Sequence, residues 1–390
     1  MIPRTITPTL LQLAGQYPVV TVTGPRQSGK TTICRSTFPD KPYINLESPD
    51  TREFAYSDPR GFLSSYPDGA ILDEIQRVPQ LLSYLQPIID ERRVPGQFIL
   101  TGSQQFEMMT TISQSLAGRT ALLKLLPLSI EELAGADIQS GIDSLLLNGF
   151  YPRIYDAGLN PTQALGAYFE TYVERDIRQL INIKDLALFE KFVRLCAGRT
   201  GQLINMHSLG NDVGISHTTA RSWLTLLEAS YVVFLLQPWH TNISKRQVKT
   251  SKLYFYDVGL AAYLLGVESE LHVNRHPLRG NLFENLVVIE ALKYRYNRGK
   301  RSNLHFWRDA KGNEVDLVIE AGPDVVPVEI KSGATISEDF FKGLRMFSAK
   351  LPAPPGACAL VYGGTERQQR SDAGVWRVGD VAEMMTAICE

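Results

Sequence analysis

Eight consecutive residues near the amino terminus have the types and spacing needed to bind a phosphate chain. They are Gly24-Pro25-Arg26-Gln27-Ser28-Gly29-Lys30-Thr31, and they fit the pattern G-x-x-x-x-G-K-[ST] in full. In such a loop the backbone N–H groups surround the β-phosphate, the lysine reaches the β- and γ-phosphates, and the final hydroxyl coordinates Mg²⁺. A helix that follows the loop adds the favourable dipole of its N-terminus. The motif therefore predicts a nucleotide-binding site.

A pair of carboxylates after a later apolar run supplies a second part of this site. Ala70-Ile71-Leu72 is followed directly by Asp73-Glu74. The aspartate of such a pair contributes to the ligand shell of Mg²⁺, and the glutamate can orient and deprotonate the attacking water. The glutamate at the second position favours ATP hydrolysis over a GTPase switch.

The last third of the chain carries a different set of groups. Asp316 and Glu329 fall in two consecutive predicted strands, 314–320 and 325–331, and Lys331 shares a face with Glu329 because strand side chains alternate. Two carboxylates side by side suit a hard divalent cation. A lysine beside them can orient or deprotonate water for metal-assisted phosphodiester hydrolysis. The alternative is a cross-strand ion-pair ladder in an ordinary sheet.

The spacing of apolar residues indicates which elements must position the amino-terminal groups. Continuous apolar runs bounded by turns predict strands, and helical segments lie between them, at 31–36 and 79–91 among others. Buried parallel strands show continuous runs and need crossover helices, so the pattern predicts an α/β domain with a parallel sheet. The predicted strands are Val19–Val22, Tyr43–Leu46, Ala70–Leu72, Phe98–Leu100 and Ala121–Leu125.

The middle third has the pattern of a helix-turn-helix followed by a β-hairpin. A short helix and a glycine-containing turn precede a helix that starts after Ser216, a good N-cap residue. In the second helix, 217–228, we expect one face to bury apolar residues and the other to offer polar groups. The hairpin is predicted at Tyr231–Leu236 and Leu253–Tyr256, and the whole resembles a winged helix. It could read a DNA major groove or serve only for packing.

Two groups of basic residues could contact nucleic-acid phosphates, with solvated loops as the alternative. The first forms a basic wing, and the second precedes the carboxyl-terminal acids. The wing residues are Lys245, Arg246, Lys249 and Lys252, and the second group is Lys293, Arg295, Arg298, Lys300, Arg301, Arg308 and Lys311.

Composition excludes several classes of protein. The chain has 390 residues, 44% hydrophobic and 21% charged, and a formal charge of −1, which argues against a disordered chain or a globally basic nucleic-acid coat. Its four cysteines form neither a zinc-binding pattern nor a disulfide framework. With no signal-peptide pattern and no membrane-length apolar stretch, we expect a cytoplasmic protein with reduced thiols.

Nearly the full length of the chain resembles bacterial and archaeal AAA-type ATPases that carry a C-terminal nuclease-like domain of unknown function. The resemblance rests on the 24–31 loop and a set of short motifs. These are Leu72-Asp73-Glu74, Leu100-Thr101-Gly102-Ser103, Leu116-Ala117-Gly118-Arg119, Gly280-Asn281-Leu282-Phe283-Glu284, Glu314-Val315-Asp316 and Glu329-Ile330-Lys331.

The resemblance implies roles for individual residues. Ser103, with Thr101 as the alternative, would sense the γ-phosphate, and Arg119 would act in trans as an arginine finger in a homo-oligomer; a structural ion pair is the alternative for Arg119. Glu284, Asp316, Glu329 and Lys331 match the PD-(D/E)XK nucleases, with metal held by Asp316 and Glu329. The nucleotide-binding residues would be Gly24, Pro25, Arg26, Gln27, Ser28, Gly29, Lys30, Thr31, Thr32, Asp73 and Ser103.

These inferences combine into one expected architecture. It is an α/β protein with an AAA-type P-loop domain at 1–150, a helical and winged-helix module at 151–272, and an α/β PD-(D/E)XK nuclease-like domain at 273–390. We expect an ATPase that uses ATP and Mg²⁺ and processes DNA, with Mg²⁺ or Mn²⁺ at the nuclease-like site. The alternatives are an ATPase that only binds DNA and a nucleotide-switched signalling or scaffold protein with a protein partner.

Overall fold

A computed structural model of the chain describes residues 1–103, 116–177, 185–240, 250–351, 357–371 and 373–390, with only the backbone at 174–177. The chain divides into two compact units. The first comprises Met1–Leu128, Ala229–Tyr231 and Arg295–Lys300, and the second comprises Ser129–Glu228, Val232–Tyr294 and Arg301–Glu390. The three-domain division at residues 150 and 272 stays a prediction.

The first unit contains a five-stranded sheet in which every pairing is parallel, as the apolar runs predict. Its strands are β1 (Val19–Thr23), β2 (Tyr43–Asn45), β3 (Ala70–Asp73), β4 (Phe98–Gly102) and β5 (Thr120–Lys124). Their order across the sheet is β2-β3-β4-β1-β5. β1, β3 and β4 are buried along their whole length, as expected of strands covered on both faces.

Helices cover both faces of this sheet. They are α1 (Thr7–Ala14), α2 (Lys30–Thr37), α3 (Pro49–Ser57), α4 (Pro59–Ser64) and α5 (Leu81–Arg92). Alternate strand residues enter different cores: Val20 packs with apolar residues of α1 and α2, whereas Val19 packs with those of α3, α4 and α5. The parallel arrangement places the segments after β1, β3 and β4 at one edge, where α/β proteins bind ligands.

The second unit is mainly helical in its first half. It contains α6 (Ile130–Gly135), α7 (Ile142–Asn148), α8 (Pro152–Asp156), α9 (Pro161–Tyr168), a π-helical segment (Phe169–Ile177), α10 (Leu186–Ala197), α11 (Met206–Val213), most of α12 (His217–Ala229), α13 (Val258–Leu264), α14 (Glu270–Arg275), most of α15 (Arg279–Asn297), α16 (Lys342–Ser348) and α17 (Val381–Cys389). No helix in the described ranges combines the length and apolar character needed to cross a bilayer.

The predicted helix-turn-helix and hairpin are both present. The Ser216 hydroxyl accepts the Thr219 N–H at 3.1 Å, which caps α12, and Gly214 adopts a positive φ of 97° at the turn after α11. α12 buries its predicted apolar face, namely Ala220, Trp223, Leu224 and Leu227. Strands β6 (Gln202–Leu203), β7 (Val233–Leu236) and β8 (Lys252–Phe255) form an antiparallel sheet in the order β6-β8-β7.

A six-stranded mixed sheet forms the rest of the second unit. Its strands are β9 (Leu304–Arg308), β10 (Glu314–Ala321), β11 (Asp324–Lys331), β12 (Ala359–Tyr362), β13 (Gln368–Gln369) and β14 (Gly374–Arg377), in the order β13-β14-β12-β11-β10-β9. β9, β10 and β11 pair antiparallel, whereas β11, β12 and β14 pair parallel.

α15 corrects one expectation. The sequence of this helix predicts a single apolar stripe at Leu282, Leu286 and Ile289, with Lys293 continuing it, but Phe283 and Val287 are equally buried. A helix that is buried on several sides lies within a core instead of covering one.

Candidate functional site

The 24–29 loop at the carboxyl end of β1 has a backbone that only glycine permits at its first position. A Cβ on Gly24 would lie 2.0 Å from the carbonyl oxygen of Leu125, and Gly29 has a φ of 92° where α2 begins. The Arg4 guanidinium donates to the Ser28 carbonyl and to the Leu126 carbonyl, at 2.7 Å each. The sequence did not point to Arg4, which ties the amino-terminal segment to the loop.

Lys30 is buried at the start of α2. Its ammonium donates to the carbonyl oxygens of Gly24 and Pro25, at 3.0 and 2.7 Å. Burial lowers the pKa of Lys30, although the negative charges of Glu74 and Asp73 oppose this effect. The ammonium therefore lies inside the loop, where phosphate oxygens could replace the two carbonyls as its acceptors.

Asp73, at the end of β3, collects hydroxyl groups from three other elements. Thr31 on α2 donates to its two carboxylate oxygens at 3.1 and 2.9 Å. Tyr43 on β2 donates to Oδ2 at 2.7 Å, and Thr101 on β4 donates to Oδ1. The adjacency of Thr31 and Asp73 fits Mg²⁺ binding, because these are the oxygen donors such a site uses.

Glu74 follows at a left-handed position with φ of 57°. The backbone N–H of Glu74 donates to the Thr101 hydroxyl at 3.2 Å, and its Oε2 accepts from the Ser103 hydroxyl at 3.1 Å and from the Gln76 amide. Thr101 therefore contacts Asp73 and the backbone of Glu74, whereas Ser103 contacts the Glu74 side chain. The position after Ser103, Gln104, lies outside the described residues.

Arg119 lies beside the amino-terminal end of β1, whereas the 24–29 loop lies at its carboxyl-terminal end. The Arg119 carbonyl accepts the N–H of Val19, the first residue of β1, at 3.3 Å, whereas the 24–29 loop follows the last residue of that strand. A five-residue strand spans about 16 Å. Arg119 forms a bidentate ion pair with Asp90 through Nε at 2.6 Å and a terminal nitrogen at 2.8 Å. Arg119 thus cannot reach the loop of its own chain.

Two further predicted nucleotide-binding residues are Arg26 in the loop and Thr32 in α2. Arg26 donates to Glu47 Oε1 at 3.1 Å, an acceptor that it shares with Arg77, and Thr32 is exposed.

In the second unit, the predicted acids meet on β10 and β11. Lys331 donates to Glu329 Oε1 at 2.6 Å and to Asp316 Oδ2 at 3.3 Å. Asp316 also accepts the Ile330 N–H at 2.9 Å, which holds its carboxylate against β11. The second oxygen of Glu329, Oε2, is buried and has no hydrogen-bond partner in the part of the chain that the structure describes.

A second pair of acids is bridged by a lysine that sequence reasoning assigned elsewhere. Lys252, the first residue of β8, donates to Glu284 Oε1 on α15 at 2.8 Å and pairs with Glu314 on β10. The Tyr254 hydroxyl donates to the same Glu284 oxygen. We refer to Glu284, Glu314, Asp316, Glu329, Lys252 and Lys331 as the acidic cluster.

Burial and mutual repulsion govern the charge of the acidic cluster. Burial raises the pKa of Glu329 to about 8, and the nearby Asp316 adds to this effect. Burial also raises the pKa of Glu284 to about 7, against the attraction of Lys252. Burial alone would lower the pKa of Lys252, but the surrounding carboxylates outweigh it and keep the ammonium charged.

The acidic cluster has the ligand types of a divalent-metal site, but its side chains are not spaced to hold a metal ion. Carboxylate oxygens are suitable ligands, and Glu329 Oε2 is a buried acceptor that needs a partner. Within the described ranges, however, no three His, Cys, Asp or Glu side chains are grouped so that they could hold a metal ion. Each of the two acid pairs has a lysine ammonium between its carboxylates.

The burial of two lysines corrects the expected basic surfaces. Lys252 is only 2% exposed and lies in the acidic cluster, so it is not a phosphate contact of a wing. Lys293 is 1% exposed and pairs with Glu290 at 2.7 Å, so it is not a surface contact for nucleic-acid phosphates. The remaining wing residues, Lys245, Arg246 and Lys249, lie outside the described residues. The one sequence signal that Lys252 is buried is its position directly before the apolar run 253–256.

Comparison with known proteins places this geometry in a family. Residues 16–134 match a family model described as an AAA domain. Two mycobacterial proteins, uncharacterized protein Rv2008c of Mycobacterium tuberculosis and uncharacterized protein Mb2031c of Mycobacterium bovis, are each 32% identical over 361 residues, which is 92% of this chain and 79% of theirs. The chain belongs to the same family as these two proteins. Its AAA match contains the whole Thr31, Asp73 and Glu74 arrangement, and this region has the fold of an AAA-type P-loop ATPase.

The rest of the chain matches domains without an assigned role. Residues 139–271 and 279–381 each match a domain of unknown function, DUF8612 and DUF4143 respectively. Among solved structures, the Walker-type ATPase PABY2304 of Pyrococcus abyssi aligns over 68% of this chain and 96% of its own, with 16% identity and a TM-score of 0.44.

Proposed function

We propose that the chain is an Mg²⁺-dependent ATPase that couples ATP turnover to the binding of DNA. The observation that carries the ATPase part is the arrangement around Asp73, whose carboxylate gathers the hydroxyls of Thr31 and Thr101. Thr31 and Asp73 would hold Mg²⁺, which neutralises charge on the β- and γ-phosphate oxygens when bound.

The roles of the remaining side chains follow from their positions. Lys30 binds phosphate oxygens in place of its two carbonyl acceptors. Glu74 orients a water molecule and accepts its proton as the water oxygen bonds to the γ-phosphorus, the bond to the β–γ bridging oxygen breaks and ADP leaves. Ser103 holds the Glu74 carboxylate and is the proposed contact for the γ-phosphate. Arg119, which is out of reach of its own loop, is proposed to act on the nucleotide of a second copy.

Two variants test the ATPase proposal by separating binding from turnover. Lys30→Ala should abolish ATP turnover because the phosphate chain loses its buried cation. Glu74→Gln should keep ATP binding and lose turnover, because the amide cannot accept a proton. Lys342→Ala, at an exposed lysine of the second unit, is the matched control and should behave as wild type. ATP hydrolysis by Lys30→Ala at the wild-type rate would show that the nucleotide site is misassigned.

The exposed side of α12 supports the DNA part of the proposal. His217, Thr218, Arg221 and Ser222 are exposed, on the side opposite the buried Trp223. A helix that follows a short turn and presents such groups is the kind of element that enters a major groove. We therefore propose a winged-helix-like DNA contact, with Arg221 as its cation.

A salt-dependent binding assay tests this contact. Arg221→Ala should weaken the binding of a labelled DNA duplex and reduce the slope of affinity against salt by about one. Arg275→Ala removes an exposed arginine from α14 and serves as the control. The proposal also requires that duplex, single-stranded or branched DNA raises the ATPase rate. A rate unaffected by every DNA form would favour the alternative, a nucleotide-switched signalling or scaffold protein with a protein partner.

A second candidate function is metal-dependent DNA cleavage at the acidic cluster. It is favoured by the meeting of Glu284, Asp316, Glu329 and Lys331 in one place, as the PD-(D/E)XK resemblance implies. The test is cleavage of the same DNA forms with Mg²⁺ or Mn²⁺, which Asp316→Ala and Lys331→Ala should abolish without loss of ATPase activity. If no DNA form is cut, this second candidate function is wrong, and the remaining proposal is a carboxyl-terminal domain that only binds DNA. A cytoplasmic location remains a prediction.

A further inference from the structure

We propose that Lys252 is a built-in cation that competes with divalent metal ions for the acidic cluster. Its ammonium lies between Glu284 and Glu314, two carboxylates on different elements. With its side chain only 2% exposed, this contact is a fixed part of the interior and not a surface ion pair. The inference concerns metal binding and does not require that the cluster cleaves DNA.

The position of Lys252 is set by the chain around it. It begins β8, a strand of the small three-stranded sheet, and does not belong to the six-stranded sheet that carries three of the four acids. The buried Asn285 on α15 accepts the N–H of Phe255 and donates to its carbonyl, both at 2.8 Å. This paired contact holds β8 along α15 and so brings Lys252 to Glu284, the neighbour of Asn285.

One carboxyl oxygen of the cluster is available to a further cation. Lys252 and Lys331 each bridge a pair of the four acids, and Glu314 also pairs with the Arg308 guanidinium at 3.1 Å. Within the described residues, Glu329 Oε2 is buried and has no hydrogen-bond partner. A divalent ion could coordinate this oxygen, but Lys252 repels it and occupies Glu284, the acid of the cluster that lies on a helix.

A lysine in this position has a specific consequence. Removal of its charge leaves the four acids with Lys331 and with Arg308, which is half-exposed and pairs only with Glu314 among them, and the attraction for a divalent cation rises. A lysine that merely packed in the core would not change metal affinity when replaced by an apolar side chain of similar length. Metal affinity therefore distinguishes an electrostatic role from a packing role.

The experiment is a titration of the full-length protein with Mn²⁺ alone, without nucleotide, followed by the electron paramagnetic resonance signal of free Mn²⁺. We expect Lys252→Met to bind Mn²⁺ about tenfold more tightly or better than wild type. Lys311→Met, which removes an exposed lysine, should not change the affinity. Asp316→Asn added to Lys252→Met should cancel the gain, which places the ion in the acidic cluster and not at the P-loop.

Thermal unfolding provides a second readout if Lys252→Met folds poorly. The variant leaves buried carboxylates without their partner, so its melting temperature should fall and Mn²⁺ should restore it more than it raises that of wild type. Equal Mn²⁺ affinity and equal thermal response in wild type and Lys252→Met would overturn the proposal. The ATPase rate of Lys252→Met should stay at the wild-type value, so a failed ATPase proposal would be recognised separately.

Discussion

The hydroxyl of Thr101 joins the two adjacent acids of the proposed nucleotide site. It donates to the carboxylate of Asp73 and accepts the backbone N–H of Glu74 at 3.2 Å. Because Thr101 is on β4 and the acids follow β3, one side chain connects two neighbouring strands at the edge where the phosphate-binding loop lies.

Replacement of Thr101 tests whether this connection positions the acids. Thr101→Val keeps the shape and removes the hydroxyl, so Asp73 loses a donor and the Glu74 N–H loses its acceptor. Loss of a hydrogen bond to a charged group costs about 1.5–3 kcal/mol, so we expect a fall in kcat of roughly tenfold or more. Thr101→Ser should retain most of the activity. Equal kcat values for wild type, Thr101→Ser and Thr101→Val in a steady-state ATPase assay would contradict this role.

Tyr43 is a second positioning residue for Asp73. Its hydroxyl donates to Oδ2 at 2.7 Å, and the Arg35 guanidinium lies 4.7 Å from the centre of its ring. Tyr43→Phe removes only the hydroxyl, and we expect the concentration of Mg²⁺ at half-maximal ATPase rate to change while the melting temperature stays within a few degrees. Arg35→Gln keeps the Tyr43 hydroxyl and is the comparison variant. If the Mg²⁺ concentration at half-maximal ATPase rate is the same in Tyr43→Phe and wild type, Tyr43 contributes only packing and does not position Asp73.

Arg119 and Asp90 can be separated because their ion pair is exposed. Solvent screens an exposed ion pair, so breaking it should leave stability almost unchanged. If Arg119 completes the nucleotide site of another copy, Arg119→Ala should lower the ATPase rate by orders of magnitude and Asp90→Asn should not. The measurement is the ATPase rate against protein concentration, in parallel with the oligomeric state. Equal, small effects of the two variants would identify the ion pair as purely structural.

Glu228 near the end of α12 gives the second unit a pH dependence. Burial raises the pKa of Glu228 to about 7 from its ordinary value of 4.5, and the backbone of Leu235 opposes this only in part. Between these two pH values the folded chain holds a proton that the unfolded chain has released, so stability falls as the pH rises through this window. Chemical denaturation across pH 4.5 to 7 should show this fall, and Glu228→Gln should make it smaller, with the raised pKa values of Glu284 and Glu329 accounting for the remainder. Glu268→Gln, at an exposed glutamate, should leave the fall intact.

The parts of the fold that follow from local sequence could be predicted. Continuous apolar runs indicated all five parallel strands, and the 24–31 motif located the loop between β1 and α2. Period-two alternation correctly placed Glu329 and Lys331 on one face of β11, where they form an ion pair. These features depend on residues close together in the chain, so short patterns contain the necessary information.

The contacts that could not be predicted join residues distant in sequence. Tyr43 meets Asp73 from 30 positions away, and Lys252 meets Glu284 from 32 positions away. No spacing rule relates such residues, because their meeting depends on how strands are ordered and how helices pack against them. The same applies to Lys293, whose charge suggested solvent but whose side chain is buried beside Glu290.

The origin of Lys252 affects how the carboxyl-terminal domain can be studied in isolation. A fragment that starts at residue 273 would retain all four acids and leave behind the strand that neutralises one pair of them. Such a fragment would lack the positive charge of Lys252 beside Glu284 and Glu314. It would therefore attract cations more strongly than the intact protein and be less stable at neutral pH. Its behaviour towards metals would therefore describe the excised piece and not the acidic cluster of the whole chain.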